Sequence, residues 1–196
     1  MIEAIRNLFD WVDYTYFFLS AVLFLAGIYL APNVVEKNIR FLLRYPRWMR
    51  RLMEKYFTRK YPFLVLVLII FSLNNVSLFV SFLSGFILIG PPVAAFLTGL
   101  NVAVISYDML GWRGIWQVLV NPVAWLEFPA AWISFALGFR LSEAFWSSHD
   151  WSRVQEQFWI LLPLYVKYVM VLLFIAALLE SALIVLAERM KDEDDV

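Results

Sequence analysis

An all-α fold, a polytopic transmembrane helix bundle of about five spans with broken or re-entrant helices, is predicted by three features of the chain. Its 196 residues are 63% hydrophobic and only 16% charged, whereas soluble domains are nearer half apolar and a quarter charged. A soluble domain of about 200 residues still exposes a quarter to a third of its chain surface, so this much apolar surface requires lipid. The run Tyr61 to Tyr107 holds 47 residues without an Asp, Glu, Lys, Arg or His, enough for two crossings at about 20 residues each. The charged residues gather between such runs, which makes 1–196 a single integral membrane domain. With no cysteine and one histidine, no disulfide, cysteine nucleophile, metal centre or cofactor is expected.

The elements follow in order. Met1 to Asp13 carries Glu3, Arg6, Asp10 and Asp13 where a secretory signal would start basic, so Tyr14 to Ala31 is a retained first span. Residues 36–60 are a basic segment: nine of the sixteen basic residues fall between Lys37 and Lys60, and the positive-inside rule makes that loop cytoplasmic. Gly90-Pro91-Pro92 is the natural turn within the uncharged run. It leaves about 45 Å of helix before it and about 22 Å after it. One arm is therefore expected to be tilted, broken or re-entrant, with Asn74-Asn75 and Ser84-Gly85 as break points.

Gly114 to Phe139 is the fourth span, interrupted by Asn121-Pro122, Glu127 and Pro129. Arg140 to Gln157 is a polar loop in which His149 is solvated, Phe158 to Ala187 is the last span, and 188–196 is an acidic tail. Five crossings with the N-terminus outside and the C-terminus cytoplasmic put twelve basic residues inside and three, Arg6, Arg140 and Arg153, outside, the bias the rule requires. Trp11, Trp48, Trp112, Trp116, Trp146, Trp151 and Trp159 fall near span ends, as an aromatic belt would place them.

After Pro46 the basic segment alternates apolar residues (Trp48, Met49, Leu52, Met53, Tyr56, Phe57) with charged ones at helical spacing, an amphipathic helix. Arg44, Arg47, Arg50, Arg51, Lys55, Arg59 and Lys60 form its basic face. Such a face suits anionic lipid on the inner leaflet, at about 1 kcal/mol per basic residue, or a cytoplasmic partner protein. Nucleic acid is not expected, because the same residues must satisfy a bilayer a few ångströms away.

Within the membrane, an ionised acid at mid-span costs about 2.5–3.5 kcal/mol, so Glu127 and Glu180 each need a partner, a proton or a task. Ala124, Glu127, Ala131, Ser134 and Gly138 recur at spacings of three and four, a narrow stripe that admits a close helix neighbour. Ala177 and Ser181 form a second small-residue pair beside Glu180. A homodimer through these stripes is one expectation. Asn74, Asn75 and Asn101 are the available amides, Asn121 sits at a proline break, and Lys167 can snorkel outward.

The combination Asn74-Asn75, Gly85, Gly90, Asn101, the run Asn121-Pro-Val-Ala-Trp-Leu-Glu127-Phe-Pro-Ala-Ala closing on Gly138-Phe-Arg140, and Ala176-Ala-Leu-Leu-Glu180-Ser resembles the stage II sporulation protein M (SpoIIM) family of bacterial and archaeal membrane proteins. The resemblance covers Phe71 to Ala187, with Glu127-Phe-Pro-Ala and Gly-x-Arg its most specific pieces. Asn121-Pro122 stands where the family usually has His-Gly, and Val102 where a glycine often follows the later asparagine. What the resemblance implies is a membrane component that holds partners: the family's namesake belongs to the engulfment machinery of endospore formers and holds cell-wall-degrading proteins.

Catalytic signatures are absent from the chain: no G-x-S-x-G, H-E-x-x-H, Walker loop or G-x-G-x-x-G occurs. An enzyme is not expected. The sequence leaves a membrane scaffold or anchor for partner proteins, and, as the alternative, a small transporter or channel with a polar site around Glu127 built on broken helices.

Overall fold

The computed structural model describes residues 13–57 and 61–194, in which every regular element is helical and no strand occurs. Helix α1 spans Tyr14–Glu36, α2 Arg40–Phe57, α3 Phe63–Leu83 and α4 Gly90–Leu110. Helices α5 (Trp112–Val120) and α6 (Ala124–Ser148) follow, then α7 (Trp151–Leu164), a π turn (Tyr165–Met170) and α8 (Val171–Asp194). Four helices are long and apolar enough to cross a membrane: Tyr14–Glu36, Phe63–Ile87, Gly90–Leu110 and the 40-residue rod Trp151–Met190. Helices α5 and α6 make a fifth if counted as one span bent by 84°. The bundle of four to five apolar helices makes this a membrane protein.

The helix ends follow local chemistry. Asp13 caps α1, its carboxylate accepting from the amides of Thr15 (2.9 Å) and Tyr16 (3.4 Å). Pro91 and Pro92 occupy the first turn of α4, where a missing N–H costs nothing. The turn between α6 and α7 closes with His149 at φ 55°, its amide on the Phe145 carbonyl at 2.7 Å, and Asp150 then caps α7 through the amide of Ser152 at 2.8 Å. Hydrogen bonds from the Ser152 hydroxyl and amide hold the Asp150 carboxyl below the usual carboxylate range.

Several expectations change. Helix α3 runs unbroken through Asn74-Asn75, and the break falls only at the 3₁₀ turn Ser84–Ile87. Helix α4 begins at Gly90 and has 21 residues, so its arm is not short. The interruption at Asn121-Pro122 is a sharp bend, held by the Asn121 side-chain oxygen on the Val123 amide (3.0 Å) and the Trp125 indole on the Leu119 carbonyl (2.8 Å). Pro129 breaks nothing: as the sixth residue of α6 it frees only the Trp125 carbonyl one turn back. The stretch Gly114–Phe139 is therefore not one straight span: the bend divides it between α5 and α6, and most of the supposed loop from Arg140 onward is helical. Helix α2 starts at Arg40, ahead of Pro46, and α8 continues to Asp194, well past Ala187.

Helix α6 is the centre. Ala130, Ala131 and every residue from Ile133 to Gly138 are buried, as are Leu141 and Ser142, because α1, α3, α4, α7 and α8 all pack on it. The core around it holds Phe24, Phe82, Phe135 and Tyr165, with Phe82 stacked on both Phe158 and Tyr165. From Ala130 to Gly138 all but Trp132 is buried, so the middle of the helix is enclosed on nearly every side. The tryptophans at Trp48, Trp112, Trp116, Trp146, Trp151 and Trp159 are exposed on the outside of the bundle. Trp11 lies outside the described residues.

Two crossings are too close for side chains. A Cβ on Gly27 of α1 would strike the Phe96 carbonyl oxygen of α4, and one on Gly99 of α4 the Phe24 carbonyl oxygen of α1. A Cβ on Gly85 would likewise strike the Gly138 carbonyl oxygen of α6. Where lipid replaces water, such backbone contact supplies packing that burial cannot. We expect Gly99→Val to destabilise the protein by about 1–3 kcal/mol or more, whereas Val93→Leu, on the exposed face of the same helix, should leave it unchanged. Thermal unfolding of the detergent-solubilised chain, followed by loss of the monodisperse peak, measures the difference.

Candidate intramembrane polar site

Asn74 and Asn75 are neighbours in sequence but serve different helices, because consecutive helical residues point about 100° apart. The Asn74 amide donates to Glu127 Oε1 of α6 at 2.6 Å. The Tyr165 hydroxyl, from the π turn, donates to both the backbone oxygen and Oδ1 of Asn75, each at 3.0 Å. This division is why the amide pair does not break α3: each side chain finds its partner across an interface.

The contact between α3 and α6 continues upward as a ladder of bonds between two parallel helices. The Ser134 hydroxyl donates to the Leu78 carbonyl at 2.7 Å and the Ser142 hydroxyl to the Gly85 carbonyl at 3.0 Å. Helix α6 begins deep in the bundle. Its first turn carries Glu127, which meets the twelfth residue of the 21-residue α3, while the Phe128 ring lies 4.9 Å from Phe24, the eleventh residue of the 23-residue α1. Glu127 is thus at mid-depth, as its sequence position implied, but at the start of a helix, where the macrodipole favours negative charge.

Glu180 is half-buried on α8, which packs on both α3 and α6. No hydrogen bond joins the two carboxylates among the described residues. Because α8 runs to Asp194, Glu180 lies 14 residues from that end, about 21 Å by helical rise, twice as far as from Ala187, where the sequence ends the last span. Asn121 is exposed at the bend, its side-chain oxygen accepting from the Val123 amide and its own backbone amide donating to the Val118 carbonyl. Asn101, half-buried on α4, bonds neither acid. Lys167 is exposed, its ammonium 5.1 Å from the Tyr168 ring centroid. Among the described residues no cluster of three or more His, Cys, Asp or Glu could hold a metal.

The small residues are spent inside the chain. Ser134 and Ser181 are fully buried, as is Ala177, which packs on Val67 and Ile70 of α3, and Ala131 and Gly138 lie in the α6 core. The Ser181 hydroxyl has no partner among the described residues. A homodimer would therefore have to use other surface. Sequence reasoning missed Gly27, Gly99, Ser142 and Tyr165. Glycines inside apolar spans and a phenol two residues after Pro163 were the signals available.

At one end of the bundle α2 is bolted down. The Arg47 guanidinium makes a bidentate contact with Asp108 in the last turn of α4, at 2.8 and 3.1 Å, and reaches Asn38 at 3.3 Å. The Asp108 carboxylate pushes the pKa of Arg47 still higher. The Tyr107 hydroxyl donates to Glu36 at 2.6 Å beside it. Arg50 pairs with Glu54 at 2.8 Å, whereas Arg44 and Arg51 are exposed. The side chain of Lys55, and Arg59 and Lys60, lie outside the described residues.

Two outcomes follow. Asn74→Ala leaves the Glu127 carboxylate without its donor and should cost about 1–3 kcal/mol, more than Asn101→Ala, as read by thermal unfolding in detergent. Asp108→Asn should release α2, raising amide hydrogen exchange across residues 40–52 while leaving α4 protected.

Among known proteins, the family model described as stage II sporulation protein M matches residues 16–183. That match begins in α1 and takes in the basic segment, beyond the Phe71 to Ala187 stretch legible by resemblance. No curated protein and no solved structure matches. With the family model covering most of a chain folded as an apolar helix bundle, the protein belongs to the SpoIIM family of membrane proteins.

Proposed function

We propose that this protein is a non-enzymatic membrane scaffold, an anchor that holds partner proteins at the bilayer. One observation carries the proposal: polar groups inside the bundle, from mid-depth to one end of α3, are used to join helices to one another. Glu127 is bonded to Asn74, Tyr165 to Asn75, Ser134 to the Leu78 carbonyl and Ser142 to the Gly85 carbonyl. A body cross-linked in this way is a rigid platform, with α2 at one end and the α6–α7 turn at the other. The concentration of basic residues in 37–60 favours a cytoplasmic α2 and C-terminus, with the N-terminus outside.

A second reading, a small transporter or channel, is favoured by one feature: α6 starts at mid-depth with an acid in its first turn, as discontinuous helices do at carrier sites. Glu127→Gln separates the two. Glutamine keeps an oxygen to accept from Asn74, so a scaffold should retain its fold and co-purify the same partners at the same stoichiometry from native membranes in mild detergent. Loss of ion or solute flux in liposomes on Glu127→Gln, with fold and oligomer unchanged, would overturn the scaffold in favour of transport.

A further inference from the structure

We propose that the arginine face of α2 is a binding site for the headgroup of an anionic phospholipid, formed by Arg40, Arg44 and Arg51. The basic residues of this helix are not equivalent. Arg47 is committed to Asp108 and Asn38, and Arg50 to Glu54. Among the described residues Arg40 and Arg44 are exposed and bond no carboxylate, and Arg51 spends its Nε on the Arg47 carbonyl at 3.2 Å.

Separations of four and seven residues put the three on one side of the helix. There they line a shallow groove of about 280 Å³ floored by Leu43 and backed by Arg47. Guanidinium groups match the paired oxygens of a phosphate, which an ammonium does not.

What makes the ligand a lipid is the neighbouring face. Phe41, Tyr45 and Trp48, again one turn apart, are 88%, 51% and 49% exposed. An aromatic ridge of this kind seeks the boundary between headgroups and acyl chains. Nor can α2 leave that level: it joins α1 to α3, Leu43 is buried against the bundle, and the Arg47–Asp108 contact ties it to the last turn of α4. The bolt sets the roll of the helix. With Arg47 turned to Asp108, the aromatic ridge and the three remaining arginines share the surface left over, rings beside guanidiniums, as a phospholipid presents acyl chain beside phosphate. Arg47, which a sequence reading counts among the lipid-binding residues, instead orients the others. This site stands independently of the scaffold proposal.

The test uses the full chain in phosphatidylcholine nanodiscs, with spin-labelled phosphatidylglycerol and spin-labelled phosphatidylcholine as probes of lipid bound at the protein surface. We expect at least about fivefold preference for phosphatidylglycerol, on the scale of one basic residue at an anionic surface. It should fall by more than half in the triple variant Arg40→Gln, Arg44→Gln, Arg51→Gln and hold in Arg50→Gln. In 1 M salt, where the screening length is about 3 Å, the wild-type preference should collapse, which tests the site even if the triple variant fails to fold. The proposal is overturned if the two lipids bind equally, if Arg50→Gln loses as much as the triple variant, or if millimolar inorganic phosphate displaces the lipid, which would mark a site for a soluble phosphate group.

Discussion

The close approach of α3 and α6 is the contact on which the rest of the bundle depends. It needs a glycine at Gly85, because the Gly138 carbonyl occupies the space a Cβ would take, and it brings Leu78 and Gly85 carbonyls within reach of the Ser134 and Ser142 hydroxyls. In lipid, apolar burial gives helices no reason to prefer one another over acyl chains. Small residues and interhelical hydrogen bonds therefore decide which faces meet. Once α3 and α6 are in register, Asn74 falls opposite Glu127, α8 packs along α3 and α7 along α6, and α1 closes over the Phe128 and Trp132 rings.

Much of this architecture is legible in the chain because lipid imposes a simple code. Span number, the turn at Gly90-Pro91-Pro92, the basic segment and the need of Glu127 for a partner, with Asn74 one of three amides available, follow from hydropathy, proline and the cost of an unpartnered polar group. What sequence reasoning loses are boundaries and destinations. It ends helices at the first charged residue, so Arg140 closes a span on paper, whereas in the protein it lies inside α6. A helix continues into the headgroup layer as readily as through the acyl chains, and charge marks the edge of the bilayer, not of the helix. Small-residue stripes show that something packs there without showing what. The stripe through Ser134 serves α3 of the same chain, and hydropathy could not tell that from a second copy. The comparison with known proteins added the family across α1 and α2, where little in this sequence is distinctive.

The site joins two demands that usually conflict. A carboxylate at mid-depth is costly, yet its position on the first turn of α6 gives it a favourable dipole and an amide donor from α3. The bend at Asn121 makes this possible, since in an unbroken helix Glu127 would lie in the interior, with no helix N-terminus beside it. The same bend sends α5 sideways with Trp112 and Trp116 exposed, beside the exposed Trp125 at the start of α6, so the element that creates the interior site also forms part of the outer surface.

The π turn at Tyr165–Met170 has a geometric consequence of its own. Along the last rod the buried positions Leu161, Tyr165, Val169, Leu173, Ala177 and Ser181 recur every four residues. A plain α-helix cannot keep that spacing on one line: each step of four overshoots a full turn by about 40°, or about 200° over five steps. The wider turn, bonded i to i+5, advances less per residue and absorbs part of the drift, and winding around the bundle takes up more. The rod is in effect two helices of different phase spliced by a corrector. A stripe that holds to four over five steps is therefore itself a mark of the splice, written in the spacing of residues that share no chemistry.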